Sequence, residues 1–491
     1  MPEPWWKSAV VYQIYPRSLL DTDGDGVGDL EGIRRRLDHI AGLGVHAVWL
    51  SPFFRSPMAD FGYDVADYCD VDPLFGTLAD FDRLLAEAHD RGLKVLIDWV
   101  PNHTSDQHPW FVESRSSRDS PKRDWYVWRD PDQTNNWQAA FTGESAWTYD
   151  ERTGQSYLHL FLPEQPDLNW GNPKVVEAMH AVVRFWLDRG VDGFRIDVVH
   201  ALGKDPSLPD DPPDLATIPH SSTHDDPRTH PILRDLRRLI DSYPGERMMV
   251  GEVFLLDTTK VARYYGDGDE LHLAFNFPPL FTKWDAAKWR RQIERAQQHF
   301  DPIGAWPTWV LSNHDNPRHR TRYDGRLDRA RAAAVLLLTL KGTAFLYAGE
   351  ELGLLDAEIP PERVVDPGGR DGCRAPIPWS PEPPHGWVRE DNWLPWPPLP
   401  DDPTMPDLYR ALLRLRRVSP ALSLGDIALL DSPEGTLAYE RRHGDDRRVV
   451  AINFTDEAVP VDLPDGTVDV VTGRYEAGVL GPSGAVVLTT L

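Results

Sequence analysis

VVYQIY (residues 10–15) is the first of eight short apolar runs built alike. HAVWL (46–50), LKVLID (93–98), GFRIDV (193–198), MMVGEV (248–253), LHLAFNF (271–277), TWVLSN (308–313) and TAFLYAG (343–349) follow it, with longer helix-patterned segments between them. Each run is aliphatic or β-branched with little polar alternation, the pattern of a parallel strand buried on both faces. Eight strand–helix units are the number that closes a (β/α)8 barrel, so an α/β TIM barrel is expected. The segment 78–91 illustrates the helices. Phe81, Leu84, Leu85 and Ala88 recur at i, i+3, i+4 and i+7, and the pattern stops before Gly92.

Two long spacings interrupt this rhythm. After the third run, residues 101–170 are rich in Trp, Asp and Asn and too long for a loop, which predicts an inserted subdomain B. Residues 203–230, rich in Pro, Asp and His, are expected to overhang the same barrel face. Eleven prolines fall in 376–406, followed by an amphipathic helix capped by Asp407 and carrying Leu408, Leu412 and Leu415, the barrel's eighth. From about Pro420 the pattern changes to period two. RRVVAINF, AVPVDL, TVDVVTG and AVVLTTL, separated by GDD, PDG and PSG turns, predict a small antiparallel β domain. The expected division is a barrel from 1–100 and 171–419, subdomain B at 101–170 and the β domain at 420–491.

Composition narrows the partners. The 491 residues carry a formal charge of −25, with 41% hydrophobic and 26% charged residues, as in an ordinary soluble globular protein. A surface so negative repels phosphate backbones and anionic lipid, which excludes nucleic acid and membrane surfaces as expected partners. The 19 tryptophans suit sugar stacking, but most are expected in the core. Cys69 and Cys373 are the only cysteines, which rules out a disulfide framework and favours free thiols in a reducing compartment. No secretion signal or membrane-spanning run stands out, so a cytoplasmic location is expected. Nothing in the sequence sets an oligomeric state.

In such a barrel the reacting groups sit at the C-terminal ends of strands. Run three ends in Asp98, with Asn102 and His103 beyond it; run four carries Arg195 and Asp197; run five carries Glu252; run seven ends in Asn313, His314 and Asp315. A carboxylate closing an apolar strand is expensive unless paired or functional, and here several converge on one rim. Carboxylates with an arginine fit glycoside hydrolysis with retention, which needs one carboxylate to attack the anomeric carbon and one acid to protonate the leaving oxygen, roughly 5 Å apart. Arg195, two residues before Asp197, should point to the same side and keep Asp197 ionised as the nucleophile. Glu252, with a longer arm in a drier setting, suits the acid/base with a raised pKa. Asp98 is expected to brace the mouth by pairing with Arg195, and Asn102 to fix its loop. Tyr12 and Tyr15 fit core or pocket equally, and His200 is a candidate for the leaving-group side.

DWVPNH (98–103), QPDLNW (165–170), GFRIDVVH (193–200), GEVF (251–254) and LSNHD (311–315) together resemble the α-amylase family of glycoside hydrolases, in its α-glucosidase and oligo-1,6-glucosidase branch. WWKSAVVYQIYPRS (5–18), FGYDVADY (61–68) and GRDGCRAPIPW (369–379) extend the resemblance over nearly the whole chain. It implies Asp197 as nucleophile, Glu252 as acid/base and Asp315 as the transition-state stabiliser. It also implies Asp64, His103, Arg195, His314 and Arg370 around the non-reducing glucose, with Tyr63 stacked on it. The expected activity is release of terminal α-linked glucose from short, small-molecule α-glucosides of maltose or isomaltose type. A glucosyl-transferring enzyme, transglycosylase or isomerase, is the alternative within the same chemistry, and a non-catalytic binding subunit the alternative outside it. In the resembled branch, a Val after the nucleophile, here Val198, goes with tolerance of α-1,6 linkages.

DTDGDGVGD (21–29) places Asp21, Asp23, Asp25 and Asp29 at positions 1, 3, 5 and 9 of a calcium-type loop, with Gly26 at the sharp turn and the Val27 carbonyl as a further oxygen. Position 12 is Gly32 and a strand precedes the loop, so a helix-loop-helix sensor is excluded. The resemblance implies a structural Ca²⁺ here, with Mg²⁺ as the other candidate.

Overall fold

A computed structural model describes residues 3–212 and 224–490, so the middle of the expected overhang at 203–230 lies outside the described residues. The eight apolar runs form the barrel strands β1 (Val10–Ile14), β2 (Ala47–Leu50), β3 (Lys94–Trp99), β4 (Gly193–Ile196), β5 (Met248–Gly251), β6 (Leu273–Ala274), β7 (Thr308–Val310) and β8 (Thr343–Tyr347). They pair in parallel in the order β6, β5, β4, β3, β2, β1, β8, β7. A side chain bridges the seam between β6 and β7. The Thr308 hydroxyl accepts the Asn276 amide at 3.1 Å and donates to the Ala274 carbonyl at 2.8 Å.

The helices following the strands are α1 (Leu30–Leu43), α2 (Leu78–Asp90), α3 (Pro173–Arg189), α4 (Thr229–Asp241), α5 (Thr258–Arg263), α6 (Ala286–Phe300), α7 (Leu327–Thr339) and α8 (Met405–Val418). Local chemistry starts several of them. Asp29 caps α1 by accepting the Gly32 amide, and Thr77 with Asp80 forms a capping box on α2. The expected cap of α8 is corrected: the helix begins at Met405 with Pro406 in its first turn, and Asp407 lies inside that turn. Proline fits the first turn because no intrahelical acceptor is needed there, and it draws the start upstream.

Between β3 and α3 the chain forms a three-stranded antiparallel sheet from Trp128–Arg129, Gln155–Leu158 and Trp147–Asp150. It returns to the rim through a bridge between His103 and Asp167. After α8, Pro420–Leu424 is a short helix capped by Ser419, not a strand. A five-stranded antiparallel sheet then runs β9 (Asp426–Leu430), β10 (Thr436–His443), β11 (Asp446–Asn453), β12 (Gly466–Thr472) and β13 (Ala485–Thr490), in the order β9, β10, β11, β13, β12. Of AVPVDL only Val459–Pro460 pairs, in a separate three-stranded sheet. One face of the five-stranded sheet, with Leu437, Tyr439, Val450 and Ile452, belongs to the same apolar cluster as the barrel helices. Among the described residues no helix is long and apolar enough to cross a membrane.

Candidate active site

The rim works because β4 and β5 stop one residue short of their carboxylates. The Asp197 amide still donates to the Trp99 carbonyl (2.9 Å) and the Glu252 amide to that of Ile196 (2.8 Å), after which the backbone leaves the barrel wall. At Val198 it turns left-handed, φ 35°, a conformation costing about 1–3 kcal/mol for a β-branched residue unless its surroundings impose it. The turn aims the Val198 amide at the Glu252 carboxylate, 3.2 Å away. His200, expected on the leaving-group side, has its Nδ1 3.2 Å from the Phe254 amide and 3.1 Å from the Glu252 carbonyl.

Arg195 is the hub. Its Nη1 donates to Asp98 (2.9 Å) and Asp197 (2.7 Å), and its Nη2 to Glu252. Asp98 braces the mouth as expected, since Trp49 Nε1 and the Tyr63 hydroxyl, each at 3.1 Å, occupy its other oxygen. The drier carboxylate is Asp197, not Glu252: their side chains are 8% and 13% exposed. Burial, reinforced by the charges of Glu252 and Asp98, pushes Asp197 well above the ordinary carboxylate range against the pull of Arg195. The pull of Arg195 is present as expected, but burial outweighs it.

Asp315 sits in a second charged set. Arg370 Nη1 (3.0 Å) and Arg374 Nη2 (3.1 Å) donate to one oxygen, and His314 Nε2 lies 3.2 Å from the other. Burial opposes ionisation there, but the surrounding positive charge holds Asp315 far below its usual range. Burial also pushes His314 down to about 3, so near neutral pH the charge acting on Asp315 comes from the arginines. Gln13 Nε2 lies 2.7 Å from His314 Nδ1 and the Tyr63 hydroxyl 2.6 Å from Nε2, with the two rings stacked 3° from parallel. His103 lies 3.1 Å from the Gln165 amide and 3.2 Å from that of Asn102, and burial lowers it to about 4, a neutral ring.

Of the residues expected around the sugar, Asp64 does not fit. Its carboxylate is fully buried and taken up by its own loop, accepting Ser56 Oγ at 2.8 Å and the amides of Ala59 (2.9 Å) and Asp60 (3.0 Å). The loop presents Asp60 instead, which pairs with Arg370 Nη2 at 2.7 Å and accepts Gln165 Nε2 at 3.1 Å. Asp366 completes the set by accepting Arg370 Nε (2.9 Å) and Nη2 (2.7 Å). The partially buried rings of Phe141 and Phe161 lie 5.6 Å apart, with Arg370 over the first and His103 against the second.

The catalytic-domain model of the alpha-amylase family matches residues 13–405. The chain belongs to that family. It is 44% identical to a probable alpha-glucosidase of Rhizobium meliloti (strain 1021), with 94% of this chain and 91% of the relative covered. It is 38% identical to an oligo-1,6-glucosidase of Parageobacillus thermoglucosidasius, at 95% and 93% coverage. It also superposes on the crystal structure of XgtA, an alpha-glucosyl transfer enzyme, with a TM-score of 0.94, 41% identity and both chains covered completely. As an alpha-amylase family member it is an enzyme of the glycoside hydrolase class, and the proteins it resembles are named both as glucosidases and as an alpha-glucosyl transfer enzyme.

Sequence reasoning missed Asp60, Gln13, Asp366 and Arg374. Gln13 shares a face with Val11 and alternates with Tyr12 and Ile14 on an otherwise apolar β1, and a polar residue inside a barrel strand was a usable signal. Arg374 stands four residues after Arg370, one helical turn along, in the short helix Asp371–Arg374. Asp60 and Asp366 carried no periodic signal, because both lie on irregular loops.

At the acidic loop, oxygens of Asp21, Asp23 and Asp29 lie within 4.8 Å of one another. Burial, with the neighbouring carboxylates adding to it, raises Asp25 and Asp29. A cation at the convergence point would relieve that repulsion, so the donor set fits a hard divalent ion. Asp25 stands outside the converging group, its Oδ1 accepting the Val27 amide at 2.7 Å.

Proposed function

We propose that this chain is a retaining, exo-acting α-glucosidase working through a covalent glucosyl–Asp197 intermediate. The observation that carries the reading is Arg195 holding Asp197 and Glu252 on its two terminal nitrogens, which keeps the two carboxyl groups close together, as the roughly 5 Å separation of retaining enzymes requires. Asp197 attacks the anomeric carbon as its bond to the leaving oxygen breaks. Glu252 gives that oxygen the proton. Glu252 then takes a proton from water, the hydroxide attacks the same carbon, and the ester bond to Asp197 breaks. Asp315, kept ionised by its arginines, accepts sugar hydroxyls and offsets positive charge building on the ring.

The Asp60–Arg370 ion pair and the rings of Phe141 and Phe161 support a pocket closed at the non-reducing end. A closed pocket admits a chain terminus and not a polymer interior. Val198 offers no hydroxyl to the neighbouring sugar, and packing alone discriminates linkages by only about 1–3 kcal/mol, which favours breadth across maltose and isomaltose types. The likeness to XgtA favours a second outcome on the same intermediate, capture of the glucosyl group by a sugar hydroxyl in place of water. We further read residues 21–29 as a structural Ca²⁺ loop, with Asp21, Asp23 and Asp29 as side-chain ligands, Asp25 and the Val27 carbonyl joining on binding, and Mg²⁺ as the competing ion. A cation there supplies charge neutralisation and no chemistry at the sugar.

The test is the anomer released. Proton NMR of a maltose or isomaltose digest should show α-glucose before mutarotation, and Asp197→Asn should abolish turnover with the fold intact. β-Glucose appearing first would overturn the mechanism. Transfer would show as new oligosaccharides growing with substrate concentration.

A further inference from the structure

Arg17, in the turn after β1, is 7% exposed and has no carboxylate against it among the described residues. Its guanidinium lies 4.8 Å from the Phe61 ring and 4.5 Å from that of Trp393, and those rings are 5.6 Å apart. Nη1 reaches the Met58 sulfur at 3.5 Å, and Nε has no acceptor. A buried cation held by π faces in place of anions needs both rings to stay where they are.

Both loop contacts fall on the segment that forms the sugar pocket. Residues 58–63 contain Met58 (φ 69°), Phe61 (φ 49°) and Gly62 (φ 112°), and between them Asp60 and then Tyr63 point to Arg370 and Asp98. Left-handed non-glycine residues persist only where their surroundings over-determine them. Asp64 clamps the loop from within, and beside the contacts that Asp60 and Tyr63 make in the site, the Arg17 stack holds its Met58 and Phe61 from outside. Trp393 is itself anchored, since its amide donates to the Gly26 carbonyl at 3.1 Å, while Gly28 donates to the Arg17 carbonyl at 2.7 Å.

We propose that Arg17 is a positioning residue for the sugar pocket: its stack on Phe61 and Trp393 holds loop 58–63 so that Asp60 and Tyr63 meet the substrate. The kinetic part rests on the glucosidase reading above; the structural part does not. In Arg17→Met, amide hydrogen exchange across 56–66 should speed up while the barrel strands stay protected. KM for maltose should rise roughly tenfold with kcat within about threefold, as expected for lost ground-state positioning. Trp393→Leu should reproduce this, Trp393→Phe should restore it, and the Arg17→Met/Trp393→Leu double variant should be no worse than either single, because one contact is removed twice. Unchanged exchange in 56–66, or a lowered melting temperature with wild-type KM, would overturn the proposal. If Arg17→Met does not fold, the two Trp393 variants decide by the same readings. Should the wild-type chain neither release nor transfer glucose, the functional reading fails, and the exchange data still decide whether Arg17 holds the loop.

Discussion

At the scale of single residues, the site depends on which carboxylates are free to meet a sugar. Asp60 and Asp64 are four positions apart and chemically alike, yet one faces Arg370 and the other is used up by its loop. Asp60→Asn, which keeps an acceptor for Gln165 while Arg370 retains Asp366 and Asp315, should therefore lower kcat/KM by about 10²-fold or more with a smaller loss of melting temperature than Asp64→Ala, the signature of lost substrate contact. Asp64→Ala leaves buried donors unsatisfied, at about 1–3 kcal/mol, and should appear first as instability in thermal melts. Equal kinetic effects with no difference in stability would contradict this division. The raised Asp197 makes a second, pH-dependent prediction. On the proposed mechanism a protonated Asp197 cannot attack, and kcat/KM reports the free enzyme, so its acid limb should lie above the ordinary carboxylate range. Undiminished kcat/KM down to pH 4 would refute it. The strand-end carboxylates were legible because an acid closing an apolar run is conspicuous. Asp60 was not, since its role depends on a loop whose shape comes from Asp64, Phe61 and a distant arginine.

At the scale of elements, the acidic loop and α1 are one unit. Asp29 caps the helix through the Gly32 amide, binds the Thr22 amide and hydroxyl at 2.8 Å, and contributes to the converging oxygens. A cation binding only the folded loop stabilises by mass action, so chelation should lower the melting temperature and added Ca²⁺ restore it, with kcat little changed below the transition. An unchanged melt with no metal by elemental analysis would remove the site. All eight strands were readable from apolar runs, but their ends were not. The sequence ran GFRIDV and MMVGEV through Asp197 and Glu252, whereas pairing stops at Ile196 and Gly251. Apolar patterning reports burial, which runs on past the last paired residues, where the Asp197 and Glu252 amides still donate to the neighbouring strands before the backbone leaves the wall. The Pro420–Leu424 helix was missed for the converse reason: five residues are too few for helical periodicity, and the Ser419 cap carries the signal.

At the scale of the whole molecule, the period change near Pro420 was read as a domain boundary, and the side chains show how thoroughly that boundary is stitched. Arg416 at the end of α8 donates to the carbonyls of Leu338, Leu340, Leu422 and Gly342, and Arg441 on β10 to those of Thr339 and Gly425. Both guanidiniums are buried, and their acceptors are the carbonyls that end α7 together with those of the link between α8 and β9. Free carbonyls at a helix C-terminus need donors, and a cation there also meets the negative end of the helix dipole. The Tyr439 and Thr339 hydroxyls meet at 2.6 Å, and Trp284 lies 4.2 Å from Phe454 in the same interface. Removing the sheet would strand buried carbonyls and expose one wall of the shared apolar cluster. Barrel and sheet should therefore melt together, with calorimetric and van't Hoff enthalpies agreeing. Arg441→Met should lower the midpoint of that single transition without splitting it, because the lost donors weaken an interface both parts require. Two resolved transitions, or an isolated 1–419 chain melting at the wild-type temperature, would show that the sheet is an independent appendage.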